Sequence, residues 1–156
     1  MHMPRIFLSI FLLLVVCTSP VLSNSLAPAK DLANPNNHPT DKRLPYVILF
    51  TAEHCEYCEM LKENVLHPLV ISKELERVAL IREVDIESSL AFKGFDGTET
   101  SYEKFAQHHG VYVTPTVMVF TPDGKSVGSK LVGYNGSEFY IERLNEIIRQ
   151  GVSSIK

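Results

Sequence analysis

An α/β domain, with a mixed central sheet and helices on both faces, is the fold class the sequence predicts. Three observations predict it. Short apolar runs alternate with stretches of helical periodicity, in the order strand–helix–strand–helix–strand–strand–helix. The run Tyr46-Val47-Ile48-Leu49-Phe50 is continuously apolar, as expected of a strand buried on both faces. Thr121-Pro122-Asp123-Gly124 is a turn signal between two strand-like runs, so the last pair returns antiparallel and the sheet is mixed.

In chain order, residues 1–23 read as a signal peptide. Arg5 gives the positive start, Ile6 to Val16 is an apolar run broken by Ser9, and Val21-Leu22-Ser23 offers a small-residue cleavage site. That run is shorter than the roughly 20 residues a membrane span needs. Val16 is a poor neighbour for lipidation of Cys17, so neither anchor reading is preferred. Residues 24–43, rich in Asn, Pro, Ala and Lys, read as a flexible leader. The domain then runs over 44–150, with 151–156 as a tail.

Within the domain, Tyr46–Thr51 is the first strand. Cys58, Leu61, Val65 and Leu69 recur at helical spacing, which predicts a helix from Cys55 toward His67, ended by Pro68. Val78–Ile86 is the second strand. Ser88–Thr100, with Gly94, Asp96 and Gly97, reads as a loop with at most a short helical piece. A helix over Tyr102–His109 stops at Gly110. Val117–Phe120 and Val127–Val132 are the antiparallel pair. Ser137 is the expected N-cap of a last helix from Glu138 to Gln150, with Phe139, Ile141, Leu144, Ile147 and Ile148 on one face.

Composition narrows the function. The chain of 156 residues carries a net charge of −3. Without the first 23 residues, 14 basic residues face 18 acidic ones, a net −4. No basic block is present, so neither nucleic acid nor anionic lipid is an expected partner. Of three cysteines, removal of the signal peptide leaves only Cys55 and Cys58.

Those two carry the chemistry. Cys55-Glu56-Tyr57-Cys58 sits where the first strand gives way to a helix. Unpaired N–H groups and the helix dipole at such a terminus stabilise a thiolate. Cys58 lies about one turn further on, close enough to close a disulfide. Cys55, nearer the helix start, is the expected attacking thiolate, and Cys58 the resolving thiol. A permanent staple is the weaker reading, because so short a loop removes little chain entropy. A copper or zinc site using His54 and Met60 lacks a clear fourth ligand. No metal and no cofactor are therefore expected. His67, His108 and His109 read as solvated surface residues, and Tyr102, Phe105, Tyr112 and Phe120 as packing residues.

Ala52-Glu53-His54-Cys55-Glu56-Tyr57-Cys58, Val84-Asp85-Ile86, Gly110-Val111-Tyr112-Val113-Thr114-Pro115-Thr116, Asp123-Gly124 and Gly133-Tyr134 follow one another along the domain. In these stretches the chain resembles the thioredoxin superfamily, and among its members the exported, periplasmic bacterial thioredoxin-like oxidoreductases. About 30 residues separate Asp85 from Pro115, which implies an insertion before the proline segment. The resemblance implies a cis bond before Pro115, with the Thr114 backbone presented to a substrate strand beside the cysteines. Tyr57 is expected to pack over the site or to contact substrate.

The departures matter too. The tryptophan usual before the first cysteine is His54 here, a candidate with Glu53 for tuning the thiolate, while Glu56 and Glu59 work against it. The buried aspartate of thioredoxins falls on Leu49 and its lysine partner on Ile81, so Glu53, Glu83 or water would have to move the proton of Cys58. The expected protein is a monomeric, periplasmic thiol–disulfide oxidoreductase. It would act on exported proteins with cysteines or on small disulfides, recharged by a separate electron donor such as a membrane thiol-transfer protein. The rival reading is a redox-inactive peptide-binding or copper-delivery module.

Overall fold

A computed structural model describes residues 26–34, 43–73 and 77–155. The predicted signal peptide and Cys17 lie outside the described residues. The fold is thioredoxin-like: a four-stranded sheet in the order β2-β1-β5-β6, covered on both faces. Strand β1 (Tyr46–Thr51) is buried at every position because it lies inside the sheet. It pairs in parallel with β2 (Leu80–Asp85) and antiparallel with β5 (Thr116–Phe120), which pairs antiparallel with β6 (Ser126–Val132). Successive β1 side chains alternate between two cores. Val47 and Leu49 meet Leu61, Val65 and Leu144 from the helices, while Tyr46, Ile48 and Phe50 meet Phe92, Phe105 and Phe120.

Helix α1 (Glu56–Leu61) continues through a π turn, Lys62–Leu66, into α2 (His67–Ile71). The expectation that Pro68 ends the helix is corrected. The helical path continues past the proline, which falls in the first turn of the α segment that follows the wider π turn. Helix α3 (Tyr102–His108) starts as predicted, with Ser101 Oγ accepting the Lys104 N–H at 3.3 Å. Helix α4 (Ser137–Ser154) differs at both ends. Gly136, at φ 130°, is the N-cap instead of Ser137, and the helix runs through the expected tail. Gly151 is buried in that last turn, against Pro45 and Val119. No helix among the described residues is long and apolar enough to cross a membrane.

Two further stretches depart from expectation. The segment read as a loop is a hairpin, β3 (Ala91–Lys93) with β4 (Glu99–Ser101). Asp96 Oδ1 shapes its turn by accepting the Thr98 N–H at 3.0 Å, and Gly97 supplies the positive φ. Residues 26–34 are not a loose leader: they run beside β2. The Ala29 N–H donates to the Glu83 carbonyl and the Glu83 N–H to the Ala27 carbonyl, both at 3.0 Å. The Leu32 N–H donates to the Lys93 carbonyl at 2.9 Å, and the Tyr102 hydroxyl donates to the Ala29 carbonyl at 2.7 Å. Leu26, Ala29 and Leu32 are buried. The reason is that β2 is an edge strand, whose outward N–H and C=O groups need partners.

Candidate active site

Strand β1 delivers the chain to the site. Past Thr51 the backbone turns through His54, which adopts a left-handed φ of 59°, and reaches Cys55 as the N-cap of α1. The Cys55 carbonyl accepts the N–H groups of Cys58 and Glu59 at 3.0 and 3.2 Å. Cys55 and Cys58 form a disulfide, with Sγ–Sγ 2.04 Å and Cα–Cα 5.2 Å. Their environments differ sharply. Cys55 is partly exposed, whereas Cys58 has no exposed surface, because one turn into the helix its side chain faces the core. Cys58 is thus closed to an outside nucleophile, and Cys55 is the more accessible of the pair.

A cleft of about 700 Å³ opens beside Cys55, with Glu53, His54, Lys62 and Glu83 in its walls. His54 Nε2 lies 3.4 Å from Glu53 Oε1, and both side chains are exposed, as is expected at the mouth of a cleft. The Glu53 N–H donates to Glu87 Oε2 at 3.2 Å, which draws a further carboxylate to this end of the sheet. Lys62 is the residue that the sequence reading missed. Its side chain is only 7 % exposed, and its ammonium contacts Glu59 at 2.7 Å and Glu83 at 2.9 Å. Burial alone would lower the lysine pKa, but hydrogen bonds to the two carboxylates outweigh it and the pKa is raised. The signal available in the sequence was spacing, since Lys62 stands one turn past Cys58 on the same helix face.

Thr114 and Pro115 lie at the same end of the sheet, because Thr116 is the register partner of Phe50. The Thr114–Pro115 bond is cis. The Pro115 carbonyl accepts the Gly133 N–H at 2.8 Å, and the Thr116 hydroxyl donates to the Val113 carbonyl at 2.6 Å. Thr114 itself makes no hydrogen bond among the described residues. Neither Thr114, Pro115 nor Tyr57 lines the cleft beside Cys55. Tyr57, Met60, Tyr112 and Val113 are all exposed, leaving apolar surface on the helix start and on the proline segment.

Two expectations change. Tyr112, read as a packing residue, is 73 % exposed, because the turn leading to Pro115 carries it outside both cores. His109, read as solvated, is half-buried at the end of α3, with Phe105 and Phe120 as ring neighbours. Leu49 and Ile81 are both buried, and Leu49 pairs in register with Glu83.

The Thioredoxin-like domain family model matches residues 37–148. No curated protein matches the sequence. Among solved structures, a thioredoxin-fold protein from Helicobacter pylori is similar at 21% identity and TM-score 0.59, covering 73% of this chain and 74% of its own. A thioredoxin from Thermus thermophilus is similar at 21% identity and TM-score 0.57, covering 85% of this chain and 94% of its own. These likenesses concern the fold, while the close Cys55–Cys58 pair supports thiol–disulfide chemistry in general. On the match over most of its length, the chain belongs to the thioredoxin-like domain family.

Proposed function

We propose that this protein is an exported thiol–disulfide oxidoreductase that reduces disulfides of periplasmic proteins or small molecules. One observation carries the reading: a partly exposed Cys55 at the start of a helix is bonded to a Cys58 sealed in the core behind it. That asymmetry supports giving the two cysteines different halves of a cycle. The Cys55 thiolate attacks one sulfur of a substrate disulfide, and the electron pair leaves with the other substrate sulfur, which takes up a proton. Cys58 then loses its proton and attacks Cys55. The Cys55–Cys58 bond forms, the remaining substrate thiol departs, and the protein is left oxidised. No cofactor enters this exchange. A separate electron donor, such as a membrane thiol-transfer protein, recharges the dithiol.

An extended substrate segment would lie along Thr114-Pro115, where the Thr114 backbone is open to strand-like pairing, with Tyr57, Tyr112 and Val113 as apolar contacts. Export rests on the charged start, apolar run and small-residue site of residues 1–23. Insulin reduction by the chain, compared with Cys55→Ser and Cys58→Ser, tests the activity. Both variants should fail to turn over, and the equilibrium potential against glutathione should lie near about −270 mV instead of about −120 mV. A Cys55→Ser variant that kept its biological role would mark a peptide-binding or copper-delivery module instead.

A further inference from the structure

Where thioredoxins carry a buried acid on the strand before the motif, this chain has Leu49, yet a partly buried carboxylate stands directly beside it. Leu49 and Glu83 are register partners on adjacent strands, and register partners project from the same face of a sheet. That face also packs against the helix bearing Cys58: Leu49, Ile81 and Leu61 share one core.

Lys62 comes from the helix side. Its backbone N–H bonds to the Cys58 carbonyl, one turn back. Helical side chains lean toward the helix N-terminus, so the ammonium returns to the level of Cys58 and Glu59. The 2.7 Å contact with Glu59 Oε1 agrees with that direction. From there it holds Glu83 Oε1 at 2.9 Å, while Glu83 Oε2 accepts the Leu26 N–H at 3.2 Å. Both carboxylate oxygens are thus fixed, one by the helix and one by the docked leader. The side chains of Lys62 and Glu83 are 7 % and 14 % exposed, and both line the cleft beside Cys55.

We propose that Glu83 takes up the proton of Cys58 when that thiol resolves a mixed disulfide, with Lys62 and the leader as positioning elements. The proposal rests on the redox reading above. The Cys58 S–H proton passes to the Glu83 carboxylate, and the thiolate attacks the Cys55 sulfur. A Cys58–Cys55 bond forms as the bond from Cys55 to the substrate sulfur breaks. The electron pair leaves on that sulfur, which is protonated in turn as Glu83 returns to its ionised form. The substrate is reduced, the dithiol is oxidised, and the carboxylate is regenerated. The charged and titratable groups around Glu83 are Lys62 and Glu59 from the helix, Tyr102 from α3 and Asp85 from its own strand, with Glu53, His54 and Glu56 around the cleft.

Ellman's reagent separates the two steps. In the full chain carrying Cys17→Ser, reduced beforehand, attack by Cys55 releases a first thionitrobenzoate, and attack of Cys58 on the resulting adduct releases a second. Glu83→Gln should leave the first release unchanged. It should slow the second about 100-fold at pH 6, the order expected for loss of an internal base, with the gap closing toward pH 9 as solvent deprotonates Cys58. The double variant Lys62→Met with Glu83→Gln removes both buried charges, so that neither is stranded, and should show the same slow second release. A second release as fast as in the parent protein, or faster, in both variants overturns the proposal. Absence of the first release in the parent overturns the redox reading itself.

Discussion

His109 sits at the end of α3 with ring neighbours on two sides, Phe105 and Phe120, at centroid distances of 4.5 and 4.8 Å. Lys130 donates to the carbonyls of both His109 and Gly110, which brings a cation close to the imidazole. Burial, then His108, then Lys130 all oppose a second positive charge, and the pKa falls from 6.5 to about 4. The sign follows from proton uptake. Between those two values the unfolded chain binds a proton that the native imidazole refuses, so stability falls as the pH is lowered from about 6.5 to about 4.

Above that window the group contributes no slope, and below it the loss saturates. The drop from 6.5 to about 4, discounted for the partial exposure of the ring, corresponds to about 2–3 kcal/mol. Urea unfolding at a series of pH values, comparing the protein with His109→Phe, measures it. Carboxylates titrate in the same range, so the difference between the two proteins is the quantity to read. The gap should open by that amount between pH 7 and pH 4. Parallel curves, or an imidazole resonance titrating near 6.5, would refute the reasoning.

Three other outcomes follow from packing. The Tyr140 hydroxyl is buried without a hydrogen-bond partner among the described residues, and burial raises its pKa; Tyr140→Phe should therefore stabilise the fold by about 1–2 kcal/mol, read as a higher melting temperature, and a lower one would reveal a partner for that oxygen. Gly124 has φ +81°, and a Cβ there would lie 2.7 Å from Phe95 Cβ. Gly124→Ala should cost roughly 2–4 kcal/mol in denaturant unfolding, from left-handed strain plus overpacking, and a cost under about 1 kcal/mol would refute that geometry. Leu32, at 2 % exposure, anchors the docked leader; Leu32→Ala should cost about 2–3 kcal/mol, whereas a loose leader would give no change.

What could be read from the sequence was whatever a local pattern encodes. Tyr46–Phe50 announces a doubly buried strand because no polar residue interrupts it, and its side chains do enter both cores. The Cys55–Cys58 spacing and its place at a strand–helix junction are equally local, and the disulfide sits there. The failures share a different cause. Residues 26–34 have the composition of a linker, and their order comes from the open edge of β2, more than 50 residues away. The strands of the hairpin, Ala91–Lys93 and Glu99–Ser101, have three residues each, too few to display a period.

Lys62 is the sharpest case. A lysine in an amphipathic helix reads as solvent-facing, because burying an unpaired ammonium is prohibitive. Its place is decided by Glu83, 21 residues further on in another element, so its burial was invisible until the strand and helix were assembled. Hydrophobic periodicity tells which face of an element turns inward. It cannot tell which charge will find a counter-charge there, and at this site that pairing, standing beside the apolar Leu49, is what the proposed resolution by Cys58 depends on.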